Sequence, residues 1–165
     1  LSSSSAASDV YKRQAEVSGR VIKVSDSFRI GNHFRKGDSL IKIDPADYEA
    51  AAANASAELA DAELALAQEE AQSEQAAVDW QALGKGKASD LALRKPQLAK
   101  AKARIASAKA KLKRAQRDLA RSEIIAPYDG IVLSKQVDLG QFVTASPSNP
   151  LGRIYATGSL SLIHI

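Results

Sequence analysis

Two hydrophobic periods divide this chain. Between Asp44 and Ser122 apolar residues recur at alternating steps of three and four, the spacing of a helix face. On either side Val and Ile return in short runs punctuated by Gly, the mark of strands and tight turns. Asp44-Pro45 reads as a helix start: Asp caps a free backbone N–H, and Pro fits the first helical position, where an N–H has no partner in any case. From there Tyr48, Ala52, Ala55, Leu59, Ala62, Leu66, Glu69, Ser73, Ala76, Trp80 and Leu83 follow the three–four rule, and all but Glu69 and Ser73 are apolar. Gly84-Lys85-Gly86-Lys87 breaks the helix, and Ser89 is placed to cap a second one. There Leu91, Leu98, Ile105, Leu112 and Leu119 stand seven apart, with Ala101, Ala108 and Ala115 between them, a heptad seam made for a partner helix. Arg94 interrupts that seam, and Pro96 is expected to kink the first turns, so that the regular helix starts near it. So short a connection makes the two helices antiparallel.

The flanking segments resemble one another. Val17-Ser18-Gly19-Arg20-Val21-Ile22 matches Tyr128-Asp129-Gly130-Ile131-Val132-Leu133, and Gly31-Asn32-His33-Phe34 parallels Gly140-Gln141-Phe142-Val143. Each reads as strand, turn, strand, turn, strand, with Gly19, Gly31, Gly37, Gly130 and Gly140 as backbone turns. Neither half buries a core alone, so the two are expected to fold onto each other as one β-sandwich. The resulting boundaries are a first half over 15–43, a helical hairpin over 44–122 with its tip near 81–89, and a second half over 123–157. Leu1 to Gln14 and residues 158–165 fit no period. They read as non-native or disordered additions.

Composition sharpens this picture. Of 31 Ala, 25 lie between Ala46 and Ala120, and aromatics make up 5% of the chain, which suits close-packed helices and not a thick core. The absence of Cys excludes disulfides and thiolate chemistry, and a chain without Met reads as a fragment or a processed product. No apolar run approaches the ~20 residues that span a bilayer. The net charge of +4 is mild, but its distribution is not. Pro45 to Leu83 holds nine acidic residues and no Lys or Arg, whereas Asp90 to Arg121 holds eleven basic and two acidic ones. Opposite helices therefore attract and like helices repel, although an exposed pair contributes only about 0–1 kcal/mol.

The order of these parts resembles the periplasmic adaptor subunits of tripartite efflux pumps, also called membrane fusion proteins. "GNHFRKGDSLIKIDPADYEAA" (residues 31–51) is similar to that family's first half-motif and hairpin start. "ASDLALRKPQLAKAKA" (88–103) is similar to the second hairpin helix of adaptors serving resistance–nodulation–division pumps, and "IIAPYDGIVLSKQVDLGQFV" to the second half-motif. The resemblance implies an α+β fold, a long antiparallel coiled-coil hairpin inserted between two halves of a lipoyl-like β-sandwich. It implies a non-catalytic protein without cofactor or metal, attached to the inner membrane in the periplasm. Its partners would be an inner-membrane transporter, an outer-membrane channel and further copies of itself, usually as a hexamer joined through hairpins and lipoyl-like domains. The family's anchor, β-barrel and membrane-proximal domain find no counterpart, so the chain reads as a middle fragment. Many adaptors dock on the channel through an Arg–Leu–Ser pattern at the hairpin tip. Leu83 and Ser89 fall at matching places, with Trp80 beside them, but Asp79 stands where the Arg would be and the Leu-to-Ser interval is one residue shorter.

Other chemistries fit less well. Lipoyl and biotinyl carriers present a modified Lys on a tight turn between the halves, where this chain has about 80 residues of helix. The basic second helix lacks the interleaved aromatics of a nucleic-acid stacking surface, and its charges sit around the exposed side of a heptad, so nucleic acid is not an expected partner. His33 has neither Cys nor a second His outside residues 158–165 to complete a metal set. An adaptor of an ABC or major-facilitator type export system would carry the same hairpin beside another pump.

Overall fold

The computed structural model describes residues 10–84 and 86–157. The segments 1–9 and 158–165, expected to be additions, lie outside the described residues, as does Lys85 at the tip. The chain forms two compact units, one from residues up to Ala46 and from Asp118 onward, the other from Asp47 to Arg117.

The first unit is all β but for helix ends. Its strands are β1 (Val10–Gln14), β2 (Gly19–Val24), β3 (His33–Phe34) and β4 (Ser39–Ile43), then β5 (Glu123–Ile125), β6 (Gly130–Lys135), β7 (Phe142–Val143) and β8 (Pro150–Ala156). They form two four-stranded sheets, ordered β1-β8-β6-β3 and β5-β4-β2-β7. Replacing each strand by the one four places along in the chain converts one sheet into the other. The halves are thus related as the duplicated sequence suggests, and each lends strands to both sheets. Equivalent hydrogen bonds lock them together. Gly31 N donates to Val132 O at 2.8 Å, and Gly140 N donates to Val21 O at 2.8 Å. In the same way Gly19 faces Val143 across β2 and β7, and Phe34 faces Gly130 across β3 and β6. The core is drawn equally from both halves, with Val21, Phe28, Leu40 and Ile43 matched by Val132, Val137, Leu151 and Ile154, all buried.

Two expectations need correction here. Leu1 to Gln14 reads as a non-native or disordered addition, and disorder does not hold for its last five residues: Val10–Gln14 forms β1 along the outer edge of β8, Val10 opposite Tyr155 and Lys12 opposite Arg153. The strand is short, polar and largely exposed, so it has no apolar period to announce it. It forms because the edge of β8 offers unpaired backbone groups. Arg13 Nη2 also donates to Ile125 O at 3.0 Å, and the Tyr11 ring lies 5.6 Å from that of Tyr128. Second, only some of the glycines make turns. Gly31, Gly37 and Gly140 have φ of 84°, 92° and 83°, the left-handed region that favours Gly. Gly130 and Gly19 instead open strands: a Cβ on Gly130 would stand 2.7 Å from the Phe34 ring and against Tyr155 O, and one on Gly19 would stand 2.5 Å from Ile43. They are there for close approach across the sandwich.

The second unit is helical, built on α1 (Ala46–Leu83) and α2 (Lys95–Arg121). Asp44 Oδ1 accepts from Ala46 N at 3.1 Å, capping α1, and Asp47 and Glu49 lie in its first turn, at the positive end of the dipole. Gly84, at φ 63°, ends it.

Candidate functional site

The hairpin carries the residues that the sequence singles out. Along α1 the ten three–four positions from Tyr48 to Trp80 are half-buried or buried, Ala55 and Ala62 almost fully. Along α2 Leu98, Ala101, Ile105, Leu112, Ala115 and Leu119 are half-buried and Ala108 is buried. Leu59 and Leu66 thus share the sheltered face of α1 with Ala52, Ala55, Ala62 and Ala76.

Leu91 does not join that face. It is 68% exposed and precedes α2, which starts at Lys95. The reason lies at Arg94, whose φ of 58° is left-handed and interrupts the chain before the helix begins. Ser89 does cap, but it caps the turn before α2: its Oγ accepts from Ala92 N at 3.1 Å and its carbonyl from Leu93 N at 3.1 Å. Pro96 follows in the first turn of α2, where its missing N–H costs nothing.

The two polar positions of the α1 seam meet this interruption. Glu69 accepts from two of the three Arg94 side-chain nitrogens, Nε at 2.5 Å and Nη2 at 3.2 Å, and Ser73 Oγ donates to Leu93 O at 2.6 Å. The Arg94 hydrogen bonds hold the Glu69 carboxyl below the ordinary carboxylate range, and Glu69 in turn raises Arg94. Sequence reading found both polar positions and the odd Arg but not their pairing, because nothing local joins residues 69 and 94. Farther along, Lys111 Nζ reaches Glu58 at 2.6 Å. The other seven acidic residues of α1 make no ion pair among the described residues, so the opposite charges of the two helices are mostly turned outward.

At the tip Trp80 is half-buried and its Nε1 donates to Gly86 O at 3.0 Å, which ties the end of α1 to the loop. Leu83 is 62% exposed, and Ser89 is exposed with its hydroxyl used in capping. Asp79 accepts from Gln75 Nε2 at 2.8 Å. At the tip Leu83, the last residue of α1, therefore presents a large apolar side chain beside a loop braced by Trp80. Among the described residues no cluster of His, Asp or Glu has a metal-binding arrangement, and no helix is long and apolar enough to cross a membrane.

A split β-sandwich with a long helical hairpin between its halves defines a class. The barrel-sandwich hybrid domain of resistance–nodulation–division membrane fusion proteins matches residues 11–153, and the chain belongs to that family. A MacA–MexA chimera carrying the Pseudomonas aeruginosa MexA α-hairpin is 30% identical over 90% of this chain, with a TM-score of 0.64. MacA from Actinobacillus actinomycetemcomitans is 26% identical over 88%, with a TM-score of 0.58. The periplasmic adaptor protein EmrA shares the fold, with a TM-score of 0.62 over 89% of the chain at 17% identity, and the match covers 72% of EmrA. This chain spans 48% of the chimera and 48% of the Actinobacillus protein, about half of each. No curated protein is significantly similar to it.

Proposed function

We propose that this chain is the sandwich-and-hairpin part of a non-catalytic periplasmic adaptor, attached to the bacterial inner membrane, in a complex that exports drugs or other xenobiotics. The adaptor joins an inner-membrane transporter to an outer-membrane channel and works as a ring of like copies, usually six. The family match across residues 11–153 carries this reading, because it covers both halves of the sandwich and the hairpin between them. The hairpin tip contacts the channel, with Leu83 as the principal apolar group and Ser89 and Trp80 shaping the loop. In a full-length adaptor carrying this hairpin, Leu83→Asp should abolish efflux. Its effect on stability should stay within about 0.5 kcal/mol, since the side chain is exposed. Photo-cross-linking from position 83 should capture the channel protein. Capture of the inner-membrane transporter alone would reverse the assignment of ends.

A further inference from the structure

One stretch of the hairpin is built unlike the rest. Helix α1 runs unbroken from Ala46 to Leu83, but the chain that returns along it stops once before α2. A single turn capped by Ser89 ends in crossed hydrogen bonds, Arg94 N donating to Leu91 O at 3.1 Å and Lys95 N to Asp90 O at 3.0 Å. Such a pair closes a helix at a left-handed residue, a place usually held by Gly. Here it is Arg94, the one non-glycine at positive φ among the described residues. Its carbonyl then accepts from Leu98 N at 3.0 Å and opens α2. Arg94 therefore ends one helical turn and starts the next helix.

Pro96 makes a stop necessary. In a continuous helix its ring would meet the carbonyl of Ala92 and leave that group without a donor. A proline stop does not by itself call for a left-handed arginine or for polar residues on the facing helix, and both are present. Glu69 and Ser73 take two places in the otherwise apolar seam of α1. Glu69 accepts from Arg94 Nε at 2.5 Å, and Ser73 Oγ donates at 2.6 Å to Leu93 O, a carbonyl at the end of the turn. At its other end the segment leaves Gly86, at φ 74°, whose carbonyl accepts from Trp80 Nε1 at 3.0 Å. Residues 87–93 thus form a strap between two left-handed residues, one anchored near the end of α1 and the other latched farther down it.

We infer that this strap opens as a unit about Gly86 and Arg94 while the seam from Leu98 onward stays paired, with the Glu69 carboxylate as its latch. The left-handed arginine is strained, and the ion pair offsets that strain. Leu91, the strap's heptad leucine, is 68% exposed and adds little to the seam. Closure therefore rests on a few polar contacts, which places the strap at the low-stability end of the hairpin. Its opening moves Leu91 and so changes the apolar surface that the tip presents. The strap belongs to the hairpin itself, whatever meets the tip.

Residue-resolved hydrogen exchange of the whole chain tests this. The amides of Ala92, Leu93, Arg94 and Lys95 are all bonded across the turn and should share one opening constant. Glu69→Gln should raise it about tenfold at each of them, and exchanging the charges, Glu69→Arg with Arg94→Glu, should bring it back to within about twofold. Ile105→Val should speed exchange at Leu112 and leave the strap amides unchanged, because the strap opens without the seam. Strap amides that quickened in step with Leu112 would mean that the strap opens only when the hairpin does, and would overturn the inference. So would a Glu69→Gln chain whose strap amides exchanged at the parent rate, since the latch would then hold nothing. Circular dichroism should show the helix content unchanged in every variant; a large loss in Glu69→Gln would make the pair part of the seam and remove the latch.

Discussion

Gly130 and its counterpart Gly19 are where single atoms decide the packing of the sandwich. A Cβ at Gly130 meets the backbone of β8 and the ring of Phe34 together, and backbone cannot give way as a flexible side chain can. Gly130→Ala should therefore destabilise the β unit by about 1–3 kcal/mol, the usual cost of overpacking, readable as a lower denaturant midpoint. The Glu69–Arg94 pair makes a second residue-scale prediction. Its carboxyl titrates below the ordinary range, so its contribution is complete above the ordinary glutamate pKa of about 4.3 and is lost as pH falls through the lowered value. The hairpin should melt higher than a Glu69→Gln variant at neutral pH, and the gap should close on acidification. A gap that stayed constant as the carboxyl became protonated would remove Glu69 as its source.

The helices owe their pairing to a narrow band of side chains. Ile105 is on the sheltered face of α2, whereas Leu91, one heptad step beyond Leu98, is exposed on the turn before α2. Ile105→Asp should cost about 2–3 kcal/mol by placing a charge among apolar neighbours, while Leu91→Asp should stay within about 0.5 kcal/mol. Circular dichroism melts of the two variants compare them directly. Equal losses would mean that the turn before α2 belongs to the seam after all. Of the nine acidic residues on α1, two pair across the hairpin. Their share in folding is small, and salt should therefore weaken assembly more than melting.

At the scale of the whole chain, the two β halves depend on each other and not on the hairpin. Ile43 N donates to Ser122 O at 2.7 Å, and Lys42 pairs with Glu123, so the strands that flank the helical unit are neighbours. Replacing residues 47–117 with a short polar turn should leave a protein with β-type circular dichroism and one cooperative transition. A chain of residues 10–46 alone should not fold, because β3 and β2 then lose β6 and β7. Independent folding of that piece would contradict the exchange of strands.

Much of this molecule was legible in its sequence because it is local. A helix face repeats within four residues, so the sheltered positions of α1 and α2 stand out as a period, and left-handed turns announce themselves as Gly31, Gly37 and Gly140. The tertiary structure decided what depends on distant chain: that β3 joins β6 and β7 joins β2, that a polar segment before residue 15 becomes an edge strand, and that Gly19 and Gly130 serve close approach. The same holds at the tip, where Arg94 breaks the heptad and leaves Leu91 outside, because its partner Glu69 stands 25 residues back on the other helix. Periodicity records what a residue's own element requires, and pairing is set by which elements the closed chain brings together.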